Sequence, residues 1–290
     1  MRTKTRYYLI FIFLFVLSIN KISAQNFTLA DSLFKENKFF ESSLEYERAY
    51  FYTKSDSIKH IAKYRRALCI RSLGENEKAI TELQKINLFR LDKVLRVKII
   101  YESIINSFLL KKYKQVELYV NKLKFYNKNP DAYLCVMPTY ILSLNAIRKW
   151  DLAKKEFISY IDKIPLNSVM KQEALSNIES LYAKKNIPKE YFQNTAVNWS
   201  RFIPGAGQIY TGDILEGVFA FSLCSAFVLT AAYSFYYEYY FTGYILGFGL
   251  LYESYIGGMK RVAFLANRKN NDTMNLFNKN CVNLFIKLNN

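Results

Sequence analysis

Few side chains in this sequence have the types and spacing that catalysis or metal binding requires. His60 is the sole histidine among 290 residues, which removes most histidine-based acid–base and metal chemistry. Cys69, Cys135, Cys224 and Cys281 lack the paired spacing of zinc and redox sites, and their wide separation does not indicate a disulfide framework. No Ser/His/Asp or Cys/His arrangement is present. We therefore expect no catalytic residue, no metal site and no cofactor, and we interpret the protein as not an enzyme.

Two carboxylates are candidate functional groups because they lie in or beside apolar segments. Glu216 directly precedes the uncharged run 217–237, and Glu253 interrupts a second apolar run, 239–259. A charged side chain at membrane depth is costly, so an ionisable residue there is a functional candidate by default. The alternative is that both side chains simply reach the lipid headgroup region.

A glycine-rich segment, 204–213, lies immediately before the first apolar run and reads PGAGQIYTGD. A phosphate-binding loop is excluded because no Gly-Lys-Ser or Gly-Lys-Thr follows and no strand pattern precedes it. We predict a tight turn and a short interfacial helix, in which proline and glycine set the entry angle of the chain. Gln208 and Asp213 could satisfy exposed backbone groups there.

This segment resembles the PGxGQxYxG signature that precedes two-helix membrane modules of the TM2-like kind. The residues that match the signature are Pro204, Gly205, Gly207, Gln208, Tyr210 and Gly212. The resemblance covers roughly 199–270 and implies a membrane-embedded helical hairpin, but it indicates almost nothing about activity.

The elements that would position these residues are two apolar helices. The runs 217–237 and 239–259 are each long enough to cross a bilayer. Four tyrosines within 236–240 would form an interfacial aromatic belt at the turn, and glycines in the second run would permit close packing. We predict a transmembrane hairpin over 214–270, followed by an amphipathic or flexible tail over 271–290.

The preceding part of the chain has a long, regular period. Small or apolar residues recur at Ser42, Ala79, Val116 and Ala153, which are 37 residues apart. Further small or apolar residues lie 12 positions before and 4 positions after each of them. This pattern predicts two amphipathic helices joined by a tight turn in every unit, and such pairs bury their apolar faces by stacking in arrays.

The four units resemble tetratricopeptide repeats over about 27–165. The matching residues in the first two units are Ala30, Leu33, Asn37, Phe39, Ser42, Tyr46, Ala49, Ala67, Ile70, Gly74, Ala79 and Leu83. The period exceeds the family's usual value of about 34 residues, and Ile104 and Val116 replace small residues in the third unit. The resemblance implies an α-solenoid whose groove binds protein partners, and we expect a further helix, 169–185, to cap it.

The first residues indicate the compartment. Basic residues precede an apolar run, 7–19, and Ala24 stands before a plausible cleavage site, so we predict a secretory signal peptide over 1–24. An uncleaved anchor is the alternative, and in both cases the repeat domain, 25–190, is expected outside the cytoplasm. The basic residues that follow the second apolar run favour the cytoplasmic side, in conflict with simple export of a two-span hairpin.

The formal charge of +17 does not lead us to expect a nucleic-acid partner, because the basic residues are scattered through the helical patterns. Weak attraction to an anionic membrane surface is compatible with this charge.

Together these patterns predict an all-α chain: a helical-repeat solenoid, a linker over 191–213 and a transmembrane hairpin. We interpret it as an inner-membrane scaffold or adaptor of the bacterial cell envelope. Its repeats would bind other envelope proteins in the periplasm, and its hairpin would contact lipids and could form homo-oligomers. The alternative is a small membrane activity, lipid handling or solute transport, in an oligomeric hairpin that uses Glu216 and Glu253.

Overall fold

The structure is a computed structural model that describes residues 27–127 and 130–289. The predicted signal peptide, 1–24, lies outside the described residues. Within them all regular elements are helical and no strand occurs, which confirms the prediction of an all-α chain. The chain divides into two compact units, Met1–Pro165 and Leu166–Asn290, called here the N-terminal unit and the C-terminal unit.

The described part of the N-terminal unit consists of antiparallel helix pairs that follow one another along the chain. The pairs are α1 (Thr28–Lys35) with α2 (Phe39–Tyr52), α3 (Asp56–Ser72) with α4 (Asn76–Gln84), α5 (Lys93–Leu109) with α6 (Tyr113–Tyr126), and α7 (Met137–Ala146) with α8 (Trp150–Lys163). Short 3-10 turns, Leu88–Arg90 and Pro130–Val136, precede α5 and α7. Each helix packs on the next, and α3, α5 and α7 also contact one another in sequence.

The turn inside each pair has the same backbone geometry. One residue adopts a left-handed conformation, with φ between 56° and 83°, at Asn37, Gly74, Lys111 and Arg148. The N–H of the following residue donates to a carbonyl five positions earlier, at N–O distances of 2.8–3.1 Å. This Schellman arrangement satisfies carbonyls that the end of the first helix would otherwise leave unpaired. The predicted spacing of 37 residues therefore recurs in the backbone itself.

The residues that define the period form the core between the helices. Those with almost no exposed surface are Ala30, Ser42, Tyr46, Ala67, Ala79, Leu83, Ile104, Val116, Val120, Ile141, Ala153 and Phe157. The Ser42 hydroxyl, which is buried, donates to the carbonyl of Ala30 at 2.7 Å and so links α1 to α2. In the third unit Ile104 and Val116 are also fully buried, so larger side chains fill the same place in the core.

Substitutions at equivalent positions of two turns should change the free energy of unfolding in opposite directions. Gly74 has a φ of +83° and open space where a Cβ would lie, so Gly74→Ala adds only backbone strain. We expect it to lower the free energy of unfolding by about 1 kcal/mol. Lys111→Gly removes such strain at φ 56° and should raise the free energy of unfolding by up to about 1 kcal/mol. Urea unfolding of the full chain, followed by circular dichroism, measures both, and a shift of the same sign in the two variants would contradict the argument.

The C-terminal unit is built around a long helical hairpin. Its helices are α9 (Ser168–Leu181), α10 (Gln193–Phe202), α11 (Ala206–Thr211), α12 (Ile214–Tyr236) and α13 (Leu250–Asn289). One helical turn, Tyr240–Thr242, and a π-helical stretch, Gly243–Gly249, join α12 to α13.

Among the described residues, α12 is the one helix long and apolar enough to cross a membrane, and only 17% of its most apolar stretch is buried. The second predicted span, 239–259, is helical but contains the π-helical stretch. A Cβ at Gly247 would lie 2.5 Å from the Cβ of Ala231, and one at Gly243 would lie 2.9 Å from the ring of Phe235. These two glycines therefore permit the close packing that the sequence predicts.

The predicted tail, 271–290, is the continuation of α13 as far as residue 289. Phe277, Cys281 and Phe285 are buried on one side of it, which is the amphipathic pattern expected of this segment. The rings of Tyr182 and Phe277 meet edge to face at 5.4 Å, where the end of α9 packs on α13. The role of α9 as a cap for the repeats stays a prediction.

Candidate functional site

Exposed aromatic side chains of the N-terminal unit lie at the ends of α2 and α6 and in the turn that follows α4. Phe51 is 72% exposed, Tyr52 68%, Phe89 79% and Phe125 75%, and Tyr126 beside them is half-buried. We call these five residues the aromatic edge. Exposed aromatic side chains are typical of protein-binding surfaces, where aromatic residues contribute much of the binding energy.

The fold holds part of the aromatic edge in a fixed conformation. Arg96 on α5 donates from Nε to the Leu88 carbonyl at 2.8 Å and from Nη2 to the Leu91 carbonyl at 2.7 Å. Its guanidinium also lies 4.8 Å from the ring centroid of Tyr126. The ring of Phe89 packs edge-on against Tyr126 at 6.0 Å. A partner would therefore meet side chains that are already ordered, which reduces the entropic cost of binding.

The sequence pattern of the repeats singles out no binding residue by itself, yet the 37-residue period includes these aromatic positions. Tyr52, Phe89 and Tyr126 are 37 residues apart, so the same place in three successive units carries an aromatic residue. What the sequence alone does not reveal is exposure, since an aromatic residue at a regular spacing is equally compatible with the core.

An ion pair joins α3 to α5, which are the first helices of the second and third pairs. Arg71 Nε lies 3.1 Å from Glu102 Oε2, and the Glu102 side chain is only 13% exposed. Neither atom makes a hydrogen bond with a described residue. Burial raises the pKa of the Glu102 carboxyl, and the positive charge of Arg71 only partly opposes this effect.

This raised pKa predicts how the stability of the N-terminal unit depends on pH. The pKa of Glu102 in the folded chain is higher than its ordinary value of 4.5, so the folded chain binds this proton more tightly than the unfolded chain does. Its contribution to stability is therefore fully present below that pH and is lost as the pH rises through the raised pKa. We expect the unfolding free energy of Glu102→Gln, relative to the wild type, to increase between about pH 4 and pH 7. Urea titrations measure this difference. A flat difference, equal to that of the exposed control Glu41→Gln, would contradict it.

In the C-terminal unit, the glycines of the 204–213 segment stand where other residues would collide. Gly205 has a φ of +89°, and a Cβ there would lie 2.0 Å from the backbone oxygen of Gly217. A Cβ at Gly207 would lie 2.2 Å from the backbone oxygen of Ala196 and 2.9 Å from Val262. Gly212, also at +89°, ends α11 in a left-handed turn. The motif thus lets α11 pack tightly among α10, α12 and α13.

The polar members of the segment are arranged around this contact. Ser200 accepts a hydrogen bond from the Gly207 N–H at 3.1 Å and donates to Gln208 Oε1 at 3.2 Å, with both side chains buried. Tyr210 packs edge-on against Tyr191 at 5.7 Å. Pro204 is half-buried at the start of the turn. The prediction of a tight turn and a short helix agrees with this geometry.

The close contact at Gly207 can be tested against a glycine that has open space beside it. Gly207→Ala should lower the free energy of unfolding by about 1–3 kcal/mol, because backbone and side-chain atoms would have to move. Gly257→Ala should cause no loss, since nothing lies within 4 Å of the added Cβ. Thermal unfolding of the full chain in mild detergent compares the two. Equal midpoints would show that the contact does not constrain the fold.

The two candidate carboxylates have different surroundings. Glu216 forms a two-pronged ion pair with Arg261, at 2.9 Å to Nε and 2.7 Å to Nη2. Asp213 accepts from Arg268 at 3.2 Å beside it. Glu253 is exposed and forms no hydrogen bond or ion pair with any described residue. The structure thus places Glu216, but not Glu253, in a defined polar site.

No protein-family model matches the chain, and no curated protein and no solved structure matches it. The resemblances to tetratricopeptide repeats and to TM2-like modules therefore stay predictions, carried by the residues that define them.

Proposed function

We propose that this protein is a membrane-anchored scaffold of the cell envelope, in which a tetratricopeptide-like solenoid binds other proteins. The observation that carries the proposal is the aromatic edge, where aromatic residues recur at the spacing of the helix pairs and four of the five side chains are exposed. Stacked helical hairpins offer extended surfaces of this kind for protein partners.

The C-terminal hairpin supplies the anchor in this proposal. Large apolar side chains on the outside of α12 are exposed, including Leu215, Phe219 and Leu229, and exposed apolar surface of this extent is suited to lipid. Trp199 and Phe202 on α10 are also exposed, and Arg201 lies beside them. Aromatic and basic residues in this combination are typical of the membrane–water interface.

The signal-peptide pattern of the first 24 residues supports an inner-membrane location with the repeats in the periplasm. The basic residues that follow the second apolar run, Lys260, Arg261, Arg268 and Lys269, favour the cytoplasm for that end of the hairpin. In this proposal the signal peptide directs the repeats to the periplasm in spite of these basic residues.

The test is to purify the full-length protein from its native membranes in mild detergent and to measure which partner proteins are recovered with it. We expect Phe89→Ala combined with Phe125→Ala to reduce recovery of the stoichiometric companion by about tenfold or more, the size of effect that loss of aromatic anchors produces. Both side chains are more than 70% exposed, so the fold should not change. Quantitative mass spectrometry of the companion relative to the bait gives the ratio.

Phe40→Ala is the matched control. Phe40 is 60% exposed but lies at the start of α2, away from the ends of the second helices. Its replacement should leave recovery unchanged. Unchanged recovery in the double variant, or an equal loss in the control, would remove the aromatic edge from the proposal. If the wild-type protein is recovered without any partner protein, the alternative function, a small membrane activity of the hairpin, is favoured instead.

A further inference from the structure

A cleft of about 480 Å³ lies between α12 and α13, near the glycine-rich segment. Gln208 lies at its floor, Glu216 and Arg261 lie at its polar end, and Phe219 and Gly257 form parts of its apolar walls. We call it the interhelical cleft. It belongs wholly to the C-terminal unit and is separate from the aromatic edge.

The floor of the interhelical cleft contains an unused hydrogen-bond donor. Gln208 is only 2% exposed, and its Oε1 is occupied by the hydroxyl of Ser200 at 3.2 Å. Its Nε2 donates to no described residue, and the side chain lines the cleft. An amide donor that faces the cleft and has no protein partner favours a ligand that brings an acceptor.

The polar end of the cleft presents both signs of charge. Arg261 uses Nε and Nη2 to hold Glu216, which leaves its Nη1 donors without a partner among the described residues. The Glu216 oxygens each retain a free lone pair, because a carboxylate has about four acceptor sites. The pair is therefore suited to a group that carries an anion and a cation close together.

The walls are apolar and open. Phe219 is 68% exposed, and Leu215 beside it is more exposed still. Gly257 has no side chain, and nothing lies within 4 Å of where its Cβ would stand. This absence of a side chain leaves a groove along α13 that is suited to a hydrocarbon chain.

We propose that the interhelical cleft binds one phospholipid whose zwitterionic headgroup carries a primary ammonium group, the phosphatidylethanolamine class. Arg261 binds the phosphate, Glu216 binds the ammonium group and Gln208 Nε2 donates to an ester carbonyl. One acyl chain lies along Phe219 and Gly257. An anionic lipid without an ammonium group would make the same phosphate contact with Arg261 but would bring no positive charge to Glu216. This proposal rests on the part of the proposed function that places the hairpin in a bilayer.

The test uses the full chain with Trp150 and Trp199, its two tryptophans, replaced by Phe. Phe219→Trp then introduces a fluorescent reporter in the cleft, and Val228→Trp introduces one on the same helix among residues that do not line the cleft. The protein is reconstituted in phosphatidylcholine vesicles that contain phosphatidylethanolamine or phosphatidylglycerol with brominated acyl chains, which quench tryptophan on contact. For Phe219→Trp we expect phosphatidylethanolamine to reach half-maximal quenching at about a fivefold lower lipid fraction than phosphatidylglycerol does. This is the effect of about one additional hydrogen bond. Val228→Trp should respond equally to both lipids.

Two further variants separate the cleft from general lipid contact. Gly257→Leu fills the groove and should remove the preference at Phe219→Trp, whereas Gly249→Leu, at an exposed glycine outside the cleft, should leave it intact. Glu216→Gln, which fills nothing, should reduce the preference by removing the charge that binds the ammonium group.

The outcomes distinguish this proposal from the anchor on which it rests. Equal quenching by the two lipids at Phe219→Trp, or a preference that survives Gly257→Leu, overturns the lipid site and leaves the anchor standing. Quenching at Val228→Trp but not at Phe219→Trp means that protein, such as a second copy of the chain, covers the cleft, and this also overturns the lipid site. No quenching at either position overturns the lipid site and the membrane anchor together.

Discussion

The left-handed turn that follows a helix is the constraint on which the rest of this structure depends. It closes each helix pair of the N-terminal unit, and it recurs in the C-terminal unit at Gly212 and Glu238. At Glu238 the next N–H, that of Tyr239, donates to the Ser234 carbonyl at 2.8 Å, as in the repeats. Because the turn reverses the chain within two or three residues, the apolar faces of successive helices must meet. The helix pairs of the N-terminal unit and the apolar hairpin of the C-terminal unit thus share one turn geometry.

The two units combine this turn geometry with different side-chain contacts between the helices. In the N-terminal unit charged residues connect successive units, such as Lys149 with Glu117 at 2.6 Å and Lys124 with Glu156 at 2.6 Å. Such pairs contribute modestly to stability because they are partly exposed. In the apolar hairpin, packing relies instead on missing side chains, since Gly243 and Gly247 let the helices approach.

Much of the repeat architecture could be predicted because it depends on local spacing. Gly74 and Asn37 are residue types that favour left-handed turns, whereas Lys111 and Arg148 are not, so only the period reveals those two turns. The length of α13 could not be predicted from its charged middle section, because the packing of Phe277 and Phe285 that accompanies its continuation is a tertiary effect.

The candidate sites show the same division. The glycine-rich segment and Glu216 were identifiable from residue type and position, but the partner of Glu216, Arg261, lies 45 residues later. A pair so distant in sequence follows from the antiparallel course of the hairpin and not from any local pattern. The exposure of Phe89 likewise depends on how Arg96 fixes the preceding turn.

The uninterrupted course of α13 has a mechanical consequence. A helix of 40 residues is about 60 Å long at about 1.5 Å per residue. Its first turns lie in the apolar hairpin, and Phe277, about 40 Å further along, lies beside the end of α9. No loop separates the two regions, so the helix acts as a lever. A tilt of about 10° at its first turn would displace the contact with α9 by about 7 Å.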